Sequence, residues 1–101
     1  MAAEPSTPIT VVDNPAASRY EAWAGTRRAG LLVYRPRPGG VVLVHTEVDP
    51  AFEGHGVAGH LAAFALDAAR AAGSSVVPRC AYVAHYIERH PEYADLVADG
   101  A

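Results

Sequence analysis

A glycine-rich stretch in the middle of the chain has the residue types of a phosphate-binding turn. Residues 54–59 read G-H-G-V-A-G and match the pattern G-x-G-x-x-G. Glycines let the backbone turn tightly and let a ligand approach its amide groups. Where such a turn opens a helix, unpaired N–H groups and the helix dipole attract phosphate. The stretch therefore predicts a site for a phosphate-bearing ligand, and a plain strand-to-helix connection is the competing interpretation.

Two other residues have side chains suited to group transfer. Cys80 is the single cysteine and follows the apolar run 75–78, where a helix is predicted to begin. A helix N-terminus favours the thiolate, although a lone cysteine is also a common small core residue. His45 lies on a predicted strand and has the chemistry of a general base, with a core histidine bonded to backbone as the alternative.

Four strands are predicted to position these residues in the N-terminal half. Residues 9–12 and 18–23 have β-branched or alternating patterns. Residues 30–35 and 41–48 bracket the turn sequence PRPGG and are expected to form a hairpin. Alternation along the last strand places His45 and Glu47 on one face and Val44, Thr46 and Val48 on the other.

The C-terminal half is predicted to be mainly helical. An amphipathic helix starts at the glycine turn and ends at Gly73, with Leu, Phe and Ala side chains against the sheet and an Asp67–Arg70 pair on its solvent face. Residues 75–78 form a strand parallel to 41–48, because a β-α-β crossover joins the two runs. Further helices are predicted over 81–90 and 92–98. The fold class is thus α/β (α+β), an antiparallel meander followed by a β-α-β crossover and C-terminal helices.

Composition limits the classes of protein to which the chain can belong. It has 101 residues, half of them apolar, which suffices for a single domain, predicted over 9–98 after a disordered arm at 1–8. The net charge is −3 and the eight basic residues, all arginine, are spread out, so no nucleic-acid partner is expected. No segment has the length of a membrane span, and one cysteine suits a reducing compartment. We expect a soluble, cytoplasmic protein.

Three familiar ligand sites fit the sequence poorly. A dinucleotide fingerprint needs a strand running directly into its first glycine and more βα units than this chain can supply after Gly59. A phosphate loop needs a lysine, and the chain has none. The histidine pairs 55/60 and 85/90 are five residues apart, unlike the i, i+4 pair of a zinc helix, so no metal site is predicted.

The order of these elements resembles the GNAT acyltransferase fold. Its signature R/Q-x-x-G-x-G/A is matched in its last two positions by Glu53 to Ala58, whereas Glu53 departs from the usual Arg or Gln. The segments "HTEVDPAFEGHGVAGHLAAFALDAAR" and "VVPRCAYVAHYIERHPEYADLV" are similar to the small single-domain GNAT-like family of about this length. The resemblance covers residues 9–98.

The resemblance implies that acetyl-CoA is the ligand of the glycine turn. The pantetheine arm would lie along Thr46, Glu47 and Val48, and the pyrophosphate would meet the backbone amides of Glu53, Gly54, His55, Gly56, Val57, Ala58 and Gly59. Glu53 is expected to point outward, so Glu53→Gln would leave the affinity unchanged or improved.

The resemblance also implies an N-acetyltransferase activity toward an unidentified amine, either a small molecule or a protein. Cys80, His45 and Tyr86 are the candidate catalytic residues, with Tyr82 as a second tyrosine able to protonate the departing thiolate. The amine would attack acetyl-CoA directly or receive the acetyl group from Cys80. The alternative is a CoA-binding or protein-interaction module without turnover, because so short a chain lacks the segments that enclose an acceptor.

Overall fold

The computed structural model describes residues 8–99, which form one mixed sheet with two α-helices. Residues 1–7 of the expected N-terminal arm lie outside this range. In chain order the elements are β1 (Ile9–Asn14), β2 (Arg19–Ala24), β3 (Arg27–Arg37), β4 (Gly40–Val48), α1 (Val57–Ala72), β5 (Ser75–Pro78) and α2 (Ala81–Arg89). Short 3-10 helices cover Pro15–Ala17, Pro50–Phe52 and Pro91–Leu96.

The strands follow one another across the sheet in chain order. Neighbours from β1 to β4 are antiparallel, and β4 pairs with β5 in parallel through the α1 crossover. This confirms the predicted fold class of a meander followed by a β-α-β unit. The β3–β4 hairpin is tighter than predicted, because Pro36 lies inside β3 opposite Val41. Proline is accepted there since β2 pairs with β3 only as far as Val33, so no ladder on that side needs its N–H.

A β-bulge interrupts the alternation of β4. Tyr34 pairs with Leu43 and Val33 pairs with His45, which leaves Val44 as the extra residue. Leu43 and Thr46 therefore both face the helices although they are three residues apart, and the expected shared face of Val44, Thr46 and Val48 is broken at Val44. His45 and Glu47 face the other side, as predicted.

Both α-helices lie against the same face of the sheet. Leu61 and Leu66 of α1 and Val83 of α2 are fully buried in one core with Leu32 and Leu43 of the sheet. Phe64 is only partly covered and packs edge-on against Tyr20. The opposite face, called the helix-free face below, carries no α-helix within residues 8–99.

A close backbone approach fixes the start of α1 over the sheet. A β-carbon at Gly30 would come within 2.7 Å of the Glu47 carbonyl oxygen and 3.0 Å of the Val57 side chain. Only glycine lets the first turn of α1 pack this tightly on β3 and β4. The glycine turn before Val57 is thereby held at the end of β4.

Polar contacts hold the C-terminal segment against α1. Arg70 makes a two-pronged ion pair with Asp95, and Asp67 accepts a hydrogen bond of 2.7 Å from the Tyr93 hydroxyl. The predicted Asp67–Arg70 pair is therefore wrong, since each side chain has a partner beyond its own helix. The predicted helix over 92–98 is a 3-10 helix, and Ala98 donates to Val76 at the edge of β5.

Candidate functional site

The parallel pairing of β4 with β5 stops halfway along β4. We call the space between the rest of β4 and α2, which follows β5, the fork. Pairing runs from Gly40–Ser75 to Leu43–Pro78, and the Cys80 amide then donates to the Leu43 carbonyl at 2.9 Å. Beyond this point β4 continues to Val48 without a strand on its outer edge within residues 8–99. The Asp49 amide donates to Ala29 of β3, so by strand alternation the N–H and C=O groups of Thr46 and Val48 face the fork.

The glycine turn lies at the open end of this fork. Gly54 and Gly56 have φ of +83° and +75°, backbone conformations that side chains rarely adopt, and a β-carbon on either would meet no atom closer than 4.0 Å. The N–H groups of Gly54, Gly56, Val57, Ala58 and Gly59 have no acceptor in the part of the chain that the structure describes. The turn therefore presents several free donors at the N-terminus of α1, as phosphate binding requires.

Two of the backbone amides predicted to bind pyrophosphate, those of Glu53 and His55, already donate hydrogen bonds within the turn. The Glu53 amide makes a long hydrogen bond of 3.4 Å to the Pro50 carbonyl, and the His55 amide donates to Phe52 at 3.2 Å. The Glu53 side chain is exposed. The free donors thus begin at Gly54.

A cavity of about 280 Å³ lies against the turn and is bounded by Val48, Tyr82 and residues of the turn itself. Tyr82 is 42 % exposed, and a β-carbon at Gly59 would approach its hydroxyl to 3.6 Å. The cavity therefore joins the edge of β4, the turn and the first turn of α2. Tyr82, the second tyrosine candidate from the sequence, lines it.

Cys80 lies at the closed end of the fork as the residue preceding α2. Its thiol is buried and lies 3.2 Å from the Thr46 hydroxyl. Thr46 is the only side-chain hydrogen-bond partner of the sulfur among the described residues. The structure thus brings Cys80 together with Thr46 and not with His45.

His45 and Glu47 form a pair on the helix-free face of β4. The imidazole Nε2 lies 3.2 Å from a Glu47 carboxylate oxygen, and both side chains are more than half exposed. Because the fork separates β4 from α2, a group held in it could be approached from this face as well. The arrangement can orient an imidazole for proton transfer.

Tyr86 lies one helical turn beyond Tyr82. Its ring stacks on His90 with centroids 3.9 Å apart, and burial raises the pKa of its hydroxyl. It borders a second cavity of about 250 Å³, with Tyr82 and Arg89, instead of the one at the glycine turn. Both candidate tyrosines lie near the turn, since a β-carbon at Gly59 would come within 3.6 Å of the Tyr82 hydroxyl and 3.9 Å of the Tyr86 ring.

A larger cleft, of about 530 Å³, opens on the helix-free face and was not predicted from the sequence. Trp23, Arg28, Leu31 and Glu47 contribute to its wall. The signal for it was the alternation of β2, which separates Arg19, Glu21 and Trp23 from Tyr20 and Ala22. Without the topology, nothing indicated that this polar face carries no covering helix.

A buried carboxylate organises the charges on that face. Glu21 accepts hydrogen bonds from Arg19 at 2.8 Å and Asn14 at 3.1 Å, and Arg28 lies 3.8 Å away. The hydrogen bond from Arg19 is the main reason that the pKa of Glu21 is lowered from its ordinary value of 4.5.

We expect Glu21→Gln to lower the free energy of unfolding by about 2 kcal/mol at pH 7, since it removes a charged hydrogen-bond acceptor. A lowered folded-state pKa stabilises the protein above the unfolded-state value of about 4.5, and this stability is lost as the pH falls through the folded-state value. Urea unfolding at pH 7 and pH 3 measures both effects, and the difference between parent and variant should shrink at pH 3. An equal difference at the two pH values would contradict this account.

Metal and membrane sites are not evident in the described residues. Across residues 8–99, no group of three or more His, Cys, Asp or Glu side chains is placed to hold a metal ion. No helix in the same range has the length and apolar character needed to cross a membrane.

Comparison with protein-family models identifies the class of protein to which the chain belongs. Residues 19–96 match the family model described as GCN5-related N-acetyl-transferase. The chain belongs to this family, and its mixed sheet has the GNAT arrangement. No curated protein gives a significant match to the chain. The family supports an acetyltransferase activity in general.

Proposed function

We propose that this chain binds acetyl-CoA in the fork between β4 and α2 and transfers the acetyl group to a primary amine. The observation that carries the proposal is the unpaired outer edge of β4, which ends beside a glycine turn with free amides. An extended arm containing amide groups can bond to such an edge as an added strand would, and a pyrophosphate can bond to the turn.

The residues present fit this ligand at two places. Thr46 and Val48 offer backbone N–H and C=O groups to the pantetheine arm, with Glu47 between them. The free amides of the turn, those of Gly54, Gly56, Val57, Ala58 and Gly59, offer donors to the pyrophosphate, and the absence of side chains at Gly54 and Gly56 leaves room for it. A nicotinamide dinucleotide lacks an arm that could add to the edge of β4.

The catalytic steps assigned to this chain are proton transfers. Acetyl-CoA supplies an activated acetyl thioester when bound. His45 accepts the proton that the amine loses as its C–N bond forms, and Glu47 orients the imidazole. A tyrosine of α2, Tyr86 or Tyr82, donates a proton to the thiolate released as the C–S bond breaks, because α2 forms the wall of the fork opposite β4.

Direct attack by the amine is the route we propose, since Thr46 is no base for the Cys80 thiol. We expect Cys80→Ala to change the single-turnover rate by less than about threefold, because a residue without a transition-state contact affects kcat little. Cys80→Ser, which retains a hydrogen bond to Thr46, controls for packing. Rapid-quench mass spectrometry of the parent should show no acetylated chain. Loss of transfer in both variants, with acetyl-CoA binding retained, would favour the route through Cys80.

Binding is tested first by calorimetric titration of the purified chain. Acetyl-CoA and CoA are expected to bind, and NADH is expected not to bind. Binding without any acetyl transfer would favour the alternative, a CoA-binding or protein-interaction module. Failure of both CoA ligands to bind would overturn the enzyme and the module alike.

A further inference from the structure

The cleft on the helix-free face and the cavity at the glycine turn share one lining residue. Val48 lines both of them, one on each side of the sheet. The end of β4 can therefore be reached from the helix side at the turn and from the opposite side through the cleft. If the acyl donor occupies the fork, the cleft is the open approach for the second substrate.

Arg28 lines the cleft and belongs to a neighbouring group of side chains with excess positive charge. Arg19 and Arg28 share the single carboxylate of Glu21, and Arg19 holds the short contact of 2.8 Å while Arg28 lies 3.8 Å away. Two guanidinium groups and one carboxylate leave a net charge of one positive unit. The Arg28 side chain is 42 % exposed, so its guanidinium is available to another anion.

The side of the cleft nearer the fork carries a carboxylate. Glu47 contacts His45, and no guanidinium lies within ion-pairing distance of it in the described residues. The second acidic side chain, Asp49, is already engaged, because it accepts from the Ala51 amide at 2.9 Å and faces Arg27 at 3.7 Å. Glu47 is thus the acidic group that remains for a cationic ligand.

The register of the sheet places Glu21, the partner of Arg28, and Glu47 two strands apart. Glu21, Leu31 and Glu47 lie side by side on β2, β3 and β4. Their backbones therefore span two strand spacings, about 10 Å, with the apolar Leu31 between the acidic residues. The half-buried Trp23 lines the same cleft and provides a flat apolar wall.

We propose that this cleft binds the acetyl acceptor as a small amine that also carries a carboxylate, with its amine at Glu47, the hydrogen-bond partner of His45, and its carboxylate at Arg28. The proposal rests on the proposed acetyltransferase function. A polyamine would place positive charge against Arg19 and Arg28. An amine without a carboxylate would leave Arg28 without an anion. Leu31 and Trp23 accommodate an apolar side chain on the acceptor.

Leucine and leucinamide test whether the acceptor needs a carboxylate, because they differ only at that group. We expect kcat/KM for acetylation of leucine to exceed that for leucinamide at least tenfold, the value of one charge-assisted hydrogen bond. This preference would oppose intrinsic reactivity, since the carboxylate of leucine makes its amine the more basic and less often deprotonated of the two. In the presence of CoA, leucine but not leucinamide should also raise the Tm.

Arg28→Gln should bring the leucine to leucinamide ratio close to one, whereas Arg35→Gln, on an exposed part of β3 outside the cleft, should leave it unchanged. Spermidine is included as a cationic acceptor. Equal use of leucinamide, or a preference for spermidine, would overturn the acceptor class and leave the acetyltransferase intact. Absence of transfer to all three amines, despite acetyl-CoA binding, would count against the proposed function and this proposal together.

Discussion

Ala58→Glu is expected to weaken acetyl-CoA binding about 100-fold, because a carboxylate a few ångströms from a pyrophosphate costs several kcal/mol at the dielectric of a protein surface. Ala58 lies in the first turn of α1 and lines the cavity at the glycine turn. The same carboxylate stabilises the helix itself, since an acidic side chain interacts favourably with a helix N-terminus, by about 0.5 kcal/mol. Calorimetric titration should therefore show a lower affinity for acetyl-CoA, and thermal unfolding should show an equal or higher stability.

Ala58→Gln provides the matched control for this charge effect. Glutamine has the size of glutamate without its charge, so a loss caused by crowding alone would be the same in the two variants. We expect the glutamine variant to keep an affinity within about tenfold of the parent, the cost of a crowded contact. Equal affinities for the glutamate variant and the parent would show that no phosphate lies at this turn.

His45→Gln is expected to lower the rate of acetyl transfer about 100-fold, the lower bound for the loss of a general base. The affinity for acetyl-CoA should stay unchanged, because the imidazole lies on the face of β4 opposite the cavity at the turn. Single-turnover transfer measured across a range of pH, together with titration of acetyl-CoA, separates these two quantities. A parallel loss of rate and affinity would contradict the assignment of His45 as a base.

Two carboxylate variants serve as controls for His45. Glu47→Gln removes the charge that orients the imidazole and should lower the rate by less than the loss of His45 itself. Glu53→Gln removes an exposed carboxylate near the turn and should leave the rate unchanged, with affinity equal or improved. A larger loss for Glu47→Gln than for His45→Gln would indicate that Glu47 is the base.

The sequence predicted the elements whose signals are local. The β-branched and alternating runs indicated the strands, and the change to helical spacing at Gly54 indicated α1. The parallel pairing of β4 and β5 followed from the length of the crossover between them. The glycine turn was also predicted in its correct place before the helix. Gly54 and Gly56 have the positive φ that such a turn requires.

Features that depend on contacts between distant segments were missed. Arg70 and Asp67 have the spacing of a helical pair, yet Asp95 and Tyr93 offer geometrically better partners from another segment. The bulge at Val44 is set by the register with β3, which alternation along β4 alone does not reveal. The cleft at Trp23 and Arg28 needs knowledge that both helices pack on the same face.

Single-turnover acetyl transfer to leucine, followed by mass spectrometry of the product, tests the central claim most directly. The purified chain is mixed with one equivalent of acetyl-CoA and excess leucine, and the products are compared with those of an enzyme-free mixture. We expect stoichiometric acetyl-leucine and free CoA at a rate well above the uncatalysed reaction. Tight binding of acetyl-CoA with an uncatalysed rate for leucine, leucinamide and spermidine would contradict it.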